Sequence, residues 1–220
     1  MTDPSHPTLP GRAADRSVED FDDSYMGTPA WDIGRPQPVF LELADEGAIR
    51  GRVLDAGCGT GEHALMAASR GLEATGIDAS SRAIDIAKRK GTDRGVAARF
   101  LVWDALALGD LNEQFDTVID SGLFHVFDDT RRARYVRSLA DVVSSGGRVF
   151  LACFSDHQPG VWGPRRVREA ELRDAFADGW IVESIEATRF QTNLQPGGAE
   201  AWLAQIRRGT RFGFDPRLTP

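Results

Sequence analysis

Gly57, Gly59 and Gly61 stand at alternate positions directly after the apolar run that ends in Asp55. Glycine lets the chain turn tightly and lets its backbone approach a ligand that a Cβ would hold off. The spacing is G-x-G-x-G. It differs from the G-x-G-x-x-G that sets a pyrophosphate on a helix N-terminus, and no Gly-Lys-Ser/Thr follows as in a P-loop. Downstream, Gly76-Ile77-Asp78 closes a second apolar run with a carboxylate. Such a group has acceptor sites for both hydroxyls of a ribose, the position an acid takes at the end of a second strand; the other reading is a cap for the helix after Ala79-Ser80. His125 follows a later apolar run, Phe115 to Ile119. Its side chain titrates near neutrality, which suits a general base, and the alternative is that it lines a pocket.

The elements that must hold these groups alternate in period. Short β-type runs end at Asp55, Ile77, Val102, Ile119 and Cys153. Between them lie helical patterns over residues 61–70, 80–90 and 131–143, the second with an N-cap at Ser80 or Ser81. Strands separated by helices imply crossover units, and hence a doubly wound, mostly parallel sheet. The last two β runs, 180–190 and 202–206, have no helix between them and should pair antiparallel. The expectation is an α/β fold with seven strands, a reversed strand near the C-terminal edge, and a helix over residues 17–26 as an N-terminal lid. Residues 1–16 carry Pro4, Pro7 and Pro10 and few apolar side chains, and read as a disordered leader to one domain over 17–220.

Composition narrows the function classes. The net charge of −7 lowers the prior for a substrate held by its phosphates, which needs clustered Lys and Arg. No run of about 18 apolar residues suggests a membrane span, and no apolar signal core opens the chain, so a cytoplasmic protein is expected. The two cysteines, Cys58 and Cys153, offer neither metal-ligand spacing nor a disulfide framework. No metal is expected.

The run Val53-Leu54-Asp55-Ala56-Gly57-Cys58-Gly59-Thr60-Gly61 resembles motif I of the class I S-adenosylmethionine-dependent methyltransferases, and Gly76-Ile77-Asp78 resembles motif II. Trp103-Asp104-Ala105 and Asp120-Ser121 fall where that family has its next two motifs, so the resemblance spans residues 50–155 with four motifs in order. It implies S-adenosylmethionine as cofactor. It further implies contacts from Asp55, Gly57, Cys58 and Gly59 to its methionine part, and from Asp78 and Ala79 to the ribose. Trp103, Asp104 and Ala105 would meet the adenine, and Asp120 and Ser121 the amino group. The side chain of Cys58, where a small residue is needed, reads as packing.

Thr28 to Pro38 is similar to the segment before motif I in thiopurine methyltransferase-like enzymes and in plant halide and thiol methyltransferases. By that resemblance Trp31 and Arg35 contact the donor; alternatively Trp31 is a core anchor in a Pro-rich loop. The run around His125 adds a similarity to mycobacterial methyltransferases of small heterocyclic compounds. For the acceptor, the expected residues are Tyr25, Phe124, His125, Phe154 and Trp162, with His125 as the catalytic candidate. Arg165-Arg166-Val167-Arg168 is either a solvated face or a reader of an anionic acceptor.

The expected function is methyl transfer to S, N or O of a small thiol, phenolic or heterocyclic molecule, as in detoxification, by a monomer or homodimer without nucleic-acid or membrane partners. The competing readings are an RNA or protein methyltransferase and a non-catalytic S-adenosylmethionine-binding protein. A nicotinamide dehydrogenase would share the fold, but the glycine spacing and the positions of Asp104 and Asp120 oppose it.

Overall fold

A computed structural model describes residues 17–209; the leader reading falls outside them. β1 (Arg52–Ala56), β2 (Glu73–Asp78), β3 (Arg99–Val102), β4 (Phe115–Ser121), β5 (Val143–Phe154), β6 (Trp180–Phe190) and β7 (Ala199–Arg208) form one sheet in the order β3-β2-β1-β4-β5-β7-β6. β7 runs antiparallel to both β5 and β6, and the other pairs are parallel. This is the expected doubly wound sheet with one reversed strand.

The helices start where side chains satisfy their free N–H groups. Ser80 caps α4 (Ser81–Arg94) by accepting the Ala83 N–H, and Asp128 caps α5 (Asp129–Val142) by accepting that of Arg131. Pro38, which has no N–H to leave unpaired, opens α2 (Pro38–Asp45). α3 (Glu62–Ser69) and α6 (Glu169–Ala175) complete the layers, and α1 (Val18–Ser24) lies outermost with no buried residue. One core, around Leu54, Val118, Leu151 and Tyr135, fills one face of the sheet. The other, around Val53, Ile84, Ile119 and Phe150, fills the opposite face.

β5 begins five residues earlier than its apolar run suggests. Val143 continues from α5 without a loop and pairs with Phe115, and a register shift separates that pair from Thr117–Arg148. The polar stretch Ser144-Ser145-Gly146-Gly147 carries no β signal of its own, and pairing with β4 imposes it.

Gly61 ends the glycine loop at φ +86°, where a Cβ would lie 2.7 Å from Phe100 Cε1 and 2.8 Å from Ala87 Cβ. Gly61→Ala therefore combines a left-handed non-glycine residue with a steric clash, and should cost about 2 kcal/mol. Urea unfolding checks this; an unchanged midpoint would refute it.

Candidate active site

Strand order reverses between β1 and β4, and the crevice beyond their carboxyl ends is where an open α/β sheet binds its ligand. The glycine loop runs through it. Gly57 and Gly59 have φ of +68° and +51° and are half-buried. The Cys58 N–H donates to the Ile77 carbonyl at 2.8 Å, so the loop is sewn to the end of β2. The Cys58 sulfur lies against Gly76, as packing requires.

Asp78 holds the loop from the other side. One carboxylate oxygen accepts the Gly59 N–H at 2.8 Å, and the other accepts the Ser80 N–H at 2.9 Å. Asp78 thus steadies Ser80, the residue that caps α4, and still has half of its four acceptor sites free. Burial raises its pKa against the pull of those two N–H groups.

Asp55 and Asp120 lie deeper. Asp55 accepts the Ala64 N–H at 3.0 Å, and its other oxygen has no partner and sits 4.0 Å from His63 Nδ1. Asp120 accepts the N–H groups of Leu123 and Phe124. Burial pushes each carboxyl up to about 7. Both side chains are sealed in the interior of the ligand-free structure. Asp104 is exposed just past β3, where one oxygen accepts the Leu106 N–H at 2.8 Å and caps the 3-10 segment Ala105–Leu111, leaving its other acceptor sites open. Trp103 is half-buried at the end of β3, with its indole N–H on the Ala107 carbonyl. Ala105 is buried, Ala79 is exposed beside α1, and Ser121 is half-buried at the tip of β4.

α1 is latched over this end of the sheet. Asp22 accepts the Ser80 hydroxyl at 2.6 Å and the Arg82 N–H at 3.1 Å, and pairs with the Arg82 guanidinium. Tyr25, just past α1, accepts the Trp31 indole N–H at 3.0 Å. Its hydroxyl stands 2.9 Å from where a Gly59 Cβ would be. Burial, and then the charge of Asp78, push that hydroxyl's pKa well above the usual tyrosine range. Tyr25 thus belongs to the glycine loop and not to the acceptor side. The Trp31 loop is tied down as well: the Thr60 hydroxyl donates to Asp32 at 3.0 Å and accepts from Lys90 Nζ at 2.7 Å. Arg35 is exposed and has no ion pair among the described residues.

On the other side of the crevice, β5 and β6 end in a packed cluster of rings. Phe154 meets His125, Trp162 and Phe190 edge-on, at centroid distances of 5.1, 5.9 and 5.6 Å. Gly122 packs beside it, since a Cβ there would lie 3.0 Å from Phe190. Burial lowers the pKa of His125 to about 3, with Arg132 and Arg166 acting in the same sense, so the ring is neutral. Its Nδ1 accepts the Phe154 N–H at 2.9 Å and has no lone pair left to take a proton, which removes the general-base reading. Phe124 does not join the cluster. It is fully buried on the opposite face, 6.0 Å from Phe176 and under the Arg132 guanidinium.

The arginine run fits the solvated-face reading at Arg168, which is exposed, while Arg165 and Arg166 are half-buried. Arg165 pairs with Asp129 and Glu171, and Arg168 with Glu171. Arg166 donates to the carbonyls of Gln158, Pro164 and Trp162 and lies over Phe154 and Trp162. Sequence reasoning missed Phe190 and Gly122. The signals available were a ring at the last position of a β run and a glycine directly after Asp120-Ser121. Among the described residues no group of three or more His, Cys, Asp or Glu side chains could hold a metal ion, and no helix is long and apolar enough to cross a membrane.

A family model described as a methyltransferase domain matches residues 53–147. The 2-heptyl-1-hydroxyquinolin-4(1H)-one methyltransferase of Mycobacteroides abscessus is 36% identical over 194 residues, covering 82% of this chain and 86% of its own length. A probable thiol methyltransferase of Arabidopsis thaliana is 28% identical over 130 residues, 58% of each chain. A solved structure from work on the conversion of a disulfide bond into a thioacetal group during echinomycin biosynthesis superposes with a TM-score of 0.81. It is 38% identical, and the match covers 89% of this chain and 94% of that one.

Proposed function

Because this chain belongs to the class I S-adenosylmethionine-dependent methyltransferases, we propose that it methylates a small, flat aromatic or thiol acceptor held against the ring cluster of His125, Phe154, Trp162 and Phe190. The cluster at the carboxyl ends of β5 and β6 carries this reading, because apolar rings with a few placed polar groups are what small-molecule sites are lined with. The relatives named for a hydroxyquinolone and for thiols support the same acceptor classes.

The residues fit the methyl donor. S-adenosylmethionine is cationic at its sulfonium and amino groups, and burial raises the carboxyls of Asp55, Asp78 and Asp120, whose ionisation a bound cation would favour. Asp78 would hold the ribose hydroxyls with its free acceptor sites, and the backbone of Gly57 and Gly59 would meet the donor. Trp103 and Ala105 would serve its adenine end and Ser121 its amino end. Tyr25 and Trp31, joined by a hydrogen bond beside the glycine loop, would help exclude water. When bound, the donor supplies a methyl group already activated for transfer, so the chain's own task is to orient the acceptor and keep the site dry.

Donor consumption with a panel of thiols, phenols and hydroxylated heteroaromatics tests this. Turnover is expected with at least one class and none with RNA. Donor binding without turnover of any acceptor would overturn catalysis in favour of a binding protein.

A further inference from the structure

His125 lies in the short helical turn Phe124–Val126, and its ring is fixed by a backbone group. With Nδ1 accepting the Phe154 N–H at 2.9 Å, the proton of the neutral ring sits on Nε2. Nε2 has no partner among the described residues, and it is not one of the polar atoms sealed inside without a partner. It lies beside Gly122, just past the carboxyl end of β4, 3.3 Å from where a Gly122 Cβ would be. His125 therefore offers a ligand at this point an N–H and no lone pair.

The surrounding charges point the same way. Those that act on the ring are Arg132 of α5 and Arg166 of the loop before α6, both cationic. β5 and β6 place only Phe154 and Phe190 against it. Arg166 has its donors on backbone carbonyls, so it contributes a positive field and not a hydrogen bond. A hydroxylated ring set against the cluster beside Gly122 meets a fixed donor and positive charge, and no group within the ring cluster to take its proton.

We propose that His125 is a specificity-determining hydrogen-bond donor that selects flat aromatic acceptors carrying an already ionised oxygen. The inference rests on the small-acceptor reading above. The acceptor's proton leaves to solvent before binding. Nε2–H then holds an oxygen of the conjugated anion, and an oxygen lone pair forms the O–CH3 bond as the methyl–sulfur bond breaks and its electron pair leaves with the sulfur. No protein group changes protonation in the step.

The test is kcat/KM against pH for phenols and N-hydroxy heteroaromatics of graded acidity, with the parent, His125→Gln and His125→Phe. The acidic limb is expected to move with each acceptor's own pKa. His125→Gln keeps an N–H donor without a basic nitrogen, so it should lower the rate while keeping the same limb. His125→Phe should raise KM for the oxygen acceptors at least about tenfold more than for a thiol, as loss of a hydrogen bond to a charged group requires. Nitrogen NMR of the histidine gives a readout apart from turnover, with the Nε2–H tautomer expected from pH 5 to 9. A limb common to all acceptors that vanishes in His125→Gln, or an Nδ1–H tautomer, overturns the proposal. Turnover of thiols without turnover of any ionised oxygen acceptor overturns it and leaves the small-acceptor reading standing; no turnover at all removes both.

Discussion

Replacing Asp78 by Ala is expected to weaken S-adenosylmethionine binding about 100-fold, roughly 3 kcal/mol, because hydrogen bonds to a charged group contribute about 1.5–3 kcal/mol. The carboxylate has two tasks that the substitution removes together. Its free acceptor sites are lost to the ribose, and the Gly59 and Ser80 N–H groups lose the oxygens that hold the glycine loop and the start of α4. Stability should therefore fall as well, by about 1–3 kcal/mol for donors left unpaired. Asp78→Asn should lose part of both effects, because its amide can accept from only one of the two N–H groups and turns a donor towards the other. Calorimetric titration with S-adenosylhomocysteine, after a thermal melt has shown the variant folded, checks the prediction. Affinity within threefold of the parent would remove the ribose role.

Lowering the pH from about 7 to about 4 is expected to stabilise the ligand-free parent relative to Asp55→Asn, by on the order of 4 kcal/mol from three pKa units. Asp55 is buried with one oxygen unpartnered, and burial raises its carboxyl to about 7 in the folded chain. In the unfolded chain it titrates near the ordinary value of about 3.9. The direction is opposite to that of a salt-bridged carboxylate. Below both values the group is protonated in either state and costs nothing. As pH rises through the window, only the unfolded chain can ionise freely, so stability is lost, and above about 7 the loss is complete. Denaturant unfolding of parent and Asp55→Asn at pH 4 and pH 8 gives the difference, and an equal gap at both pH values would reject it.

The donor end of the site was legible because its residues sit at strand ends within one unbroken stretch, and strand ends are marked by period and by glycine. The acceptor end was only partly legible. Phe154 and Trp162 follow β5 and were expected, but Phe190 comes from a distant strand and meets His125 only through the β5-β7-β6 order. The role of His125 depends on one backbone N–H of β5, which no side-chain pattern records. Asp104 and Asp120 were read as ligand contacts from position alone, yet carboxylates at those positions also suit the N–H groups of the turns that follow. The fastening of the pre-motif loop was equally hidden. Gln37 accepts the Gln191 N–H at 2.8 Å and donates its amide to that residue's carbonyl at 2.9 Å, while its own N–H meets His63 Nε2.

The place of β7 between β5 and β6 bears on how the protein is made. During synthesis β5 emerges well before the strand that will cover its flank, and β6, the strand made next, cannot take that position in the native order. Until β7 arrives, the apolar flank of β5 (Val149 to Phe154) is an open sheet edge, the kind of surface that templates aggregation of nascent chains. The ring cluster joins Phe154 of β5 to Phe190 of β6, so it is complete only when β7 stands between those strands. Errors in translation or premature release between β5 and β7 therefore yield a chain whose donor-binding half is complete and whose exposed strand invites association with its own kind.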